Sequence, residues 1–447
     1  MIARRQRCST DATGLLHKLL HANRHGKELG VYSVCSANRC VLEAAMLRAA
    51  RDKGLLLIEA TSNQVNQFGG YTGQTPADFA KFVRDIAQEM RFPLRRILLG
   101  GDHLGPHVWR SVAASVAMEK ACEMVGEYVR AGFAKIHLDA SMPCADDETG
   151  SDRPMPDEIV SSRAAQLCHA AEEAYRSLPR GATPPIYVIG TEVPAPGGNR
   201  SACEALQVTR SRDLKHTLDV TKETFLARGL HSAWERVIAI VVQPGVEFGD
   251  ATVCPYDSHK VQPLGRLVGR HWSGLYEAHS TDFQSREALR QMVKDHFAIL
   301  KVGPALTFAF REGVFALEAV EREWLSGRNG LALSAVGDML EKAMLENPVH
   351  WKNYYHGDEH ALRLARKYSY SDRARYYWAH PGVTAALQRL IRNLVANPPD
   401  TSLLSQFLPR QAEAVREGRL SIQPLELLRH KILEVIDRYA YACGLCK

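Results

Sequence analysis

The chain has 447 residues, 45% of them hydrophobic, which is ample for a large core and long for one compact domain. Its 56 basic and 50 acidic residues leave a formal charge of +6, and the basic residues are scattered rather than gathered into the patch or arm of a nucleic-acid binder. No apolar run approaches the roughly 20 residues that span a bilayer, and no apolar signal core follows the first residues. A cytoplasmic protein with neither a membrane nor a nucleic-acid partner is therefore expected.

Residues 1–27 read as a short helical extension, with Leu15, Leu16, Leu19 and Leu20 as its apolar positions. Eight short apolar runs then recur in chain order: Val31–Cys35, Leu55–Glu59, Ile97–Gly101, Lys135–Asp139, Ile186–Gly190, Val237–Val242, Leu275–His279 and Ile299–Gly303. Most are Leu-rich or β-branched and end near Gly, Pro, Ser or Asp, as buried parallel strands do. Amphipathic segments lie between them, among them Pro76–Met90 with Thr75 as its N-cap, Val112–Ala131 and Ser161–Tyr175. Strand alternating with helix eight times predicts a TIM-type (β/α)8 barrel over 28–313. A doubly wound sheet is disfavoured, because no glycine-rich dinucleotide loop follows the first strand. The strand signal stops near Gly313. Four helical segments and an aromatic, basic stretch, Tyr368–Trp378, predict a helical appendage over 314–447.

Ten cysteines show no framework pattern. Cys35, Cys40, Cys122, Cys144, Cys168, Cys203 and Cys254 read as reduced thiols, and the Cys443/Cys446 pair as a frayed tail.

In this fold the chemistry sits at the carboxyl ends of the strands. Those ends here carry Glu59-Ala-Thr-Ser-Asn-Gln64, Gly101-Asp-His103, Lys135-Ile-His-Leu-Asp139, Thr191-Glu192, Gln243, Glu277-Ala-His-Ser-Thr-Asp282 and Lys301. Alternation puts Lys135, His137 and Asp139 on one face and Ile136, Leu138 and Ala140 on the other. The apolar face must meet the helices, so the polar one points into the barrel. Glu277 and His279 point inward by the same logic. An unpaired buried charge costs several kcal/mol, so such a gathering needs a reason, and a divalent metal is the simplest.

His103, Glu192 and His279 are the candidate ligands, with Gln243 weaker and His137 read as a hydrogen-bonded core residue. The mixed set suits Zn²⁺, with Mn²⁺ or another divalent ion as the alternative. In a regular strand Asp102 cannot face the same way as His103; a bend at Gly100-Gly101 is needed to bring both in. A Schiff base on Lys301 or Lys135 is a second mechanism, disfavoured because neighbouring acids raise a lysine pKa. Ser280, Thr281 and the Gly303-Pro-Ala turn form the expected phosphate site, with Arg311 two turns on. Asn63, Gln64, Asp139, Ser280, Lys301 and Arg311 are the candidate substrate contacts. Arg373 and Arg375, among aromatic residues, read as packing for the appendage or as a lid or subunit contact, so a homo-oligomer is possible.

The longest motifs are Glu59-Ala-Thr-Ser-Asn-Gln-Val-Asn-Gln-Phe-Gly-Gly-Tyr-Thr-Gly73, Gly100-Gly-Asp-His-Leu-Gly-Pro106, Lys135-Ile-His-Leu-Asp-Ala-Ser-Met142, Tyr276-Glu-Ala-His-Ser-Thr-Asp282 and Lys301-Val-Gly-Pro-Ala-Leu-Thr-Phe308. In this order they resemble the Z-type subunit family of tagatose-1,6-bisphosphate aldolases (GatZ/KbaZ type), from about Gly30 onward. The resemblance implies one of two functions. One is an accessory subunit that stabilises and activates a separate class II aldolase. The other, favoured for its full set of inward acids and histidines, is a metal-dependent enzyme that interconverts tagatose 6-phosphate and fructose 6-phosphate by inversion at C4. C4 carries no acidic proton, so the implied route is retro-aldol cleavage of C3–C4, turnover of the aldehyde and re-formation of the bond. Asp102 and Glu59 are then the proton-transfer groups, with Asp282 a third candidate catalytic residue. The label of kinase attached to the family finds no P-loop here.

Overall fold

The computed structural model describes residues 11–148, 155–190, 206–269, 272–328 and 330–445. Its strands are β1 (Val31–Val34), β2 (Leu56–Thr61), β3 (Ile97–Leu104), β4 (Lys135–Leu138), β5 (Ile186–Ile189), β6 (Val237–Val241), β7 (Glu247–Phe248), β8 (Val253–Cys254), β9 (Leu275–Ala278) and β10 (Phe297–Val302). Eight of these close a parallel barrel in the order β1-β2-β3-β4-β5-β6-β9-β10, so each expected apolar run is a barrel strand. The remaining two, β7 and β8, form an antiparallel ribbon that no periodicity in the sequence announced. Cys254 on that ribbon is disulfide-bonded, which corrects its assignment as a reduced thiol. It lies in an excursion between β6 and β9, not in the helix-covered core. Cys203 lies outside the described residues.

Helices follow the amphipathic segments, some with a side-chain cap and others, such as Ala114–Arg130 and Asp157–Arg176, without one. Helix Pro76–Glu89 starts with a complete capping box: Thr75 accepts from the Asp78 N–H, and the Asp78 side chain accepts from the Thr75 N–H. Ile136 and Leu138 join the outer core beneath the helices. Inside the barrel, Leu57, Leu98, Val188, Ala239, Leu275 and Ile299 fill the amino-terminal half. Leu16 and Leu20 of helix Ala12–Arg24 pack into the same cluster and plug that end. With one mouth sealed by hydrocarbon, polar chemistry is confined to the other.

Residue 313 lies inside one continuous helix, Pro304–Leu325. The final helix, Pro424–Ala442, packs against helices Arg39–Asp52, Arg286–Lys294 and Pro304–Leu325. The chain end is not frayed at Cys443: the residue is buried, and its carbonyl accepts from the Gly30 N–H just before β1. Cys446 lies outside the described residues. Among the described residues, no helix is long and apolar enough to cross a membrane.

Candidate active site and metal centre

The inward positions change character along each strand. On β2, β9 and β10, Leu57, Leu275 and Ile299 give way to Glu59, Glu277 and Lys301 two residues later. Lys135 Nζ bridges Glu59 Oε1 at 2.5 Å and Glu277 Oε2 at 2.7 Å, and all three side chains are 0% exposed. Lys301 pairs with Glu59 and lies 3.0 Å from Asp102 Oδ1 and 3.6 Å from Glu277 Oε1. Glu59 can lie this low because Gly100 faces it: a Cβ there would sit 2.7 Å from Glu59 Cγ.

Above this network sit three imidazoles. Ring centroids are 4.8 Å apart for His103 and His279, 5.2 Å for His137 and His279, and 5.3 Å for His103 and His137. Asp102 and His103 both reach the centre. The expected bend at Gly100-Gly101 is not how: β3 slips register between Gly101 and Leu104, and His103 takes a left-handed φ of 48°. The backbone groups freed by the slip are satisfied locally. Ser62 Oγ donates to the His103 carbonyl at 2.8 Å, and the His103 N–H points at His137 Nδ1 at 3.2 Å.

Each ring is oriented by a carboxylate. His103 Nδ1 lies 2.8 Å from Asp139 Oδ2, His137 Nδ1 lies 3.0 Å from Asp102 Oδ1, and His279 Nε2 lies 3.0 Å from Glu277 Oε1. For His103 the carboxylate beside Nδ1 favours the proton there and leaves Nε2 a bare lone pair. His137 Nε2 is fully buried with no hydrogen-bond partner. Donor atoms of Asp102, His137, Glu277 and His279 lie within 4.8 Å of one another. Four buried carboxylates, Glu59, Asp102, Asp139 and Glu277, meet only two lysines. An acid excess, clustered N and O donors and an orphaned nitrogen all fit a divalent cation. Sequence reasoning read His137 as a hydrogen-bonded core residue; its alternation with Lys135 and Asp139 is what brings it to this cluster. Glu192 lies outside the described residues.

Electrostatics separate these groups. Despite burial, the imidazoles of His103, His279 and His137 hold Asp102 far below the usual carboxylate range. Burial opposes the charge on His103, yet Asp102 and Asp139 raise it to about 9. Burial pushes Lys301 down to about 8, so neighbouring acids do not raise it as expected; at neutral pH it is still mostly protonated and a poor Schiff-base nucleophile. Burial likewise lifts Asp282 to about 6, although its Oδ1 accepts from the Gly303 and Ala305 N–H groups at 3.0 and 2.8 Å.

These groups open into a pocket lined by Asn63, Gln64, Asp102, His103, His279, Ser280, Asp282, Lys301 and Arg375 among others. Glu59 and Asp139 lie behind that surface and act on it through Lys301 and His103. Gln243 is not at the centre; its Oε1 accepts from Gly245 and Val246 in a turn. Arg311 is displaced from its expected role as a substrate contact. It is buried against Phe308, donates to Asp372 Oδ1 at 2.7 Å and to the carbonyl of Lys367, and so ties down the segment before Arg373–Tyr377. Arg375 is the arginine that reaches the pocket.

Residues 16–444 match the model of the D-tagatose-1,6-bisphosphate aldolase subunit GatZ/KbaZ-like family. The crystal structure of a probable tagatose 6 phosphate kinase from Sinorhizobium meliloti 1021 is 42% identical, covering 93% of this chain and 100% of that one, with a TM-score of 0.83. A fructose-bisphosphate aldolase from Campylobacter jejuni overlaps at a TM-score of 0.46 and 13% identity, over 85% of this chain and 92% of that one. A closed eight-stranded barrel with this buried site, matched over almost its whole length, belongs to the GatZ/KbaZ-like family of D-tagatose-1,6-bisphosphate aldolase subunits.

Proposed function

We propose that this chain is a metal-dependent 4-epimerase of ketohexose 6-phosphates, interconverting D-tagatose 6-phosphate and D-fructose 6-phosphate by retro-aldol cleavage and re-addition. The observation that carries this reading is the buried, orphaned His137 Nε2, which lies with Glu277 beneath the pocket lined by Asp102, His103 and His279. In this reading His103, His137 and His279 hold a divalent ion, Zn²⁺ by donor type, with Glu277 at hand as an oxygen donor and Glu192 a further candidate. The ion supplies Lewis-acid polarisation of the substrate C2 carbonyl.

The chain's own groups do the rest. Asp102, held ionised, takes the proton of the C4 hydroxyl. The O4–H pair becomes the aldehyde C=O, and the C3–C4 pair moves toward C2. The Lys301 ammonium, which lines the same pocket 3.0 Å from Asp102, would offset the negative charge that develops on the substrate. After the aldehyde turns over, O4 faces the other way, and re-formation of C3–C4 needs a proton from a second group. Asp282 lines the same pocket with a raised pKa, so the two carboxyls are pushed apart as an acid–base pair should be. Solvent in the open pocket returns the proton between them. Glu59, fully buried, positions Lys301 and Lys135 and does not touch substrate.

The family description, which names an aldolase subunit, supports a second reading, in which the chain assists a separate catalytic aldolase. One experiment separates the two. The purified chain, incubated alone with D-tagatose 6-phosphate and Zn²⁺, is expected to form D-fructose 6-phosphate, and to stop when a chelator is added. No conversion with metal, together with activation of a catalytic aldolase, replaces the epimerase by the accessory role.

A further inference from the structure

The expected phosphate position is already occupied. Asp282 Oδ1 accepts from the Gly303 and Ala305 N–H groups at the start of helix Pro304–Leu325, the place where a barrel of this type commonly takes a phosphate. A phosphoryl dianion brought there would lose those donors and face a carboxylate.

The pocket has a second lobe on its other side. That lobe shares Cys35, Gln64, Tyr71, Arg375 and Tyr376 with the main pocket and continues to Ser36, Asn38, Thr72 and Thr307. No aspartate or glutamate lines it, whereas Asp102 and Asp282 line the main pocket. Arg375 is the cation common to both. Its Nη1 donates to the carbonyls of Ser371 and Asp372, and its Nη2 to Tyr376 Oη at 2.9 Å. Among the described residues no carboxylate lies within ion-pair distance of it, although Asp282 and Asp372 act on it from further off. The acid that might have paired with it, Asp372, is engaged by Arg311 at 2.7 Å.

The surroundings fix this guanidinium in place. Tyr376 stacks on His350 at 4.6 Å and meets Tyr71 edge-on at 4.5 Å. Tyr71 belongs to the loop after β2, so the C-terminal segment is clamped onto the barrel mouth at the point where Arg375 enters.

We infer that this acid-free lobe, with Arg375 as its cation, is the subsite for the phosphoryl group of the substrate, and that it sets the preference for phosphorylated over free ketoses. This rests on the reading of the pocket as a sugar-phosphate site. An unpaired, pre-oriented guanidinium with hydroxyl and amide donors around it is what phosphate recognition requires. At the floor, by contrast, the carboxylates are taken up by Lys135, Lys301 and the imidazoles, and the donors for the ion suit the carbonyl end of the sugar.

Binding is measured by titration calorimetry on the full chain with D-fructose 6-phosphate and with D-fructose, for wild type, Arg375→Gln and Arg375→Lys. Arg375→Gln is expected to weaken the phosphorylated ligand by about tenfold or more and the free sugar by less than twofold, with Arg375→Lys between. In turnover the loss should fall on KM rather than kcat. Equal losses for both ligands, an unchanged preference in Arg375→Gln, or no binding of D-fructose 6-phosphate by wild type would overturn the assignment. Should the phosphate preference depend on Arg375 while no epimerisation occurs, the subsite stands and the proposed reaction falls. The reverse pattern removes the subsite alone.

Discussion

The Tyr439 hydroxyl donates to the Thr281 carbonyl at 2.9 Å and lies 3.1 Å from the Thr281 hydroxyl. Thr281 Oγ1 in turn donates to the Lys301 carbonyl. The last helix therefore holds the turn that presents Ser280 and Asp282, and it does so next to Lys301. Ser280 itself has a left-handed φ of 53°, a conformation that needs such support.

Tyr439→Phe should then do two things. Loss of one buried hydroxyl leaves the Thr281 carbonyl short of a donor, a cost of about 1–2 kcal/mol in urea unfolding. Turnover should fall by more than the lost stability explains, because the turn carrying Asp282 loosens. Unchanged kcat in a destabilised variant would confine Tyr439 to packing.

Metal content tests the floor of the pocket. His137→Ala is expected to lower Zn²⁺ affinity by an order of magnitude or more, measured by elemental analysis after dialysis against a weak chelator. His107→Ala serves as the comparison. That ring sits nearby with Asn63 and Ser62, and burial keeps its pKa down at about 4, but it is not among the three converging imidazoles. Equal metal retention in both variants would remove His137 from the ligand set.

Much of this architecture was legible in the residues, and the exceptions share a cause. Buried parallel strands read as continuous apolar runs, so all eight barrel strands stood out, and period-two alternation sent Lys135, His137 and Asp139 inward. The slip at His103 did not show. It depends on Leu104 pairing with Leu138 and on Ser62 and His137 meeting the freed backbone groups, all contacts between strands. The choice between Arg311 and Arg375 was equally hidden. Arg311 follows the last strand at a spacing that suits a phosphate contact, but its true partner, Asp372, lies 61 residues away. Only the packed chain decides which arginine is left unpaired.

The pH dependence of stability isolates Asp282. Its pKa rises from 3.8 in the unfolded chain to about 6 in the fold, with burial the main cause. Between those values the folded state keeps a proton that the unfolded state has released, so this group's contribution to stability is lost as pH climbs from about 4 to 6. The window corresponds to about 3 kcal/mol. Asp282→Asn keeps an oxygen for the Gly303 and Ala305 N–H groups and cannot ionise. Relative to wild type it should gain stability between pH 4.5 and pH 7.5 in paired urea titrations. A difference that does not change with pH would mean that Asp282 titrates normally.

Gly105 offers the sharpest steric test of how Asp139 serves the site. A Cβ at this position would fall 1.5 Å from the Asp139 carbonyl oxygen, and no rotamer change relieves a clash with backbone. The end of β4 must move, and with it the carboxylate 2.8 Å from His103 Nδ1. Gly105→Ala is therefore expected to disturb His103 at one remove: a drop in turnover of at least tenfold, looser metal binding and a stability loss of about 1–3 kcal/mol for the forced shift. Gly265→Ala is the control, since a Cβ there meets nothing within 4 Å. Because the effect runs through one carboxylate–imidazole pair, Asp139→Asn should cost far less in the Gly105→Ala background than in wild type. If the two losses multiply instead, Gly105 acts by another route, and the close approach of its backbone to Asp139 matters for folding alone.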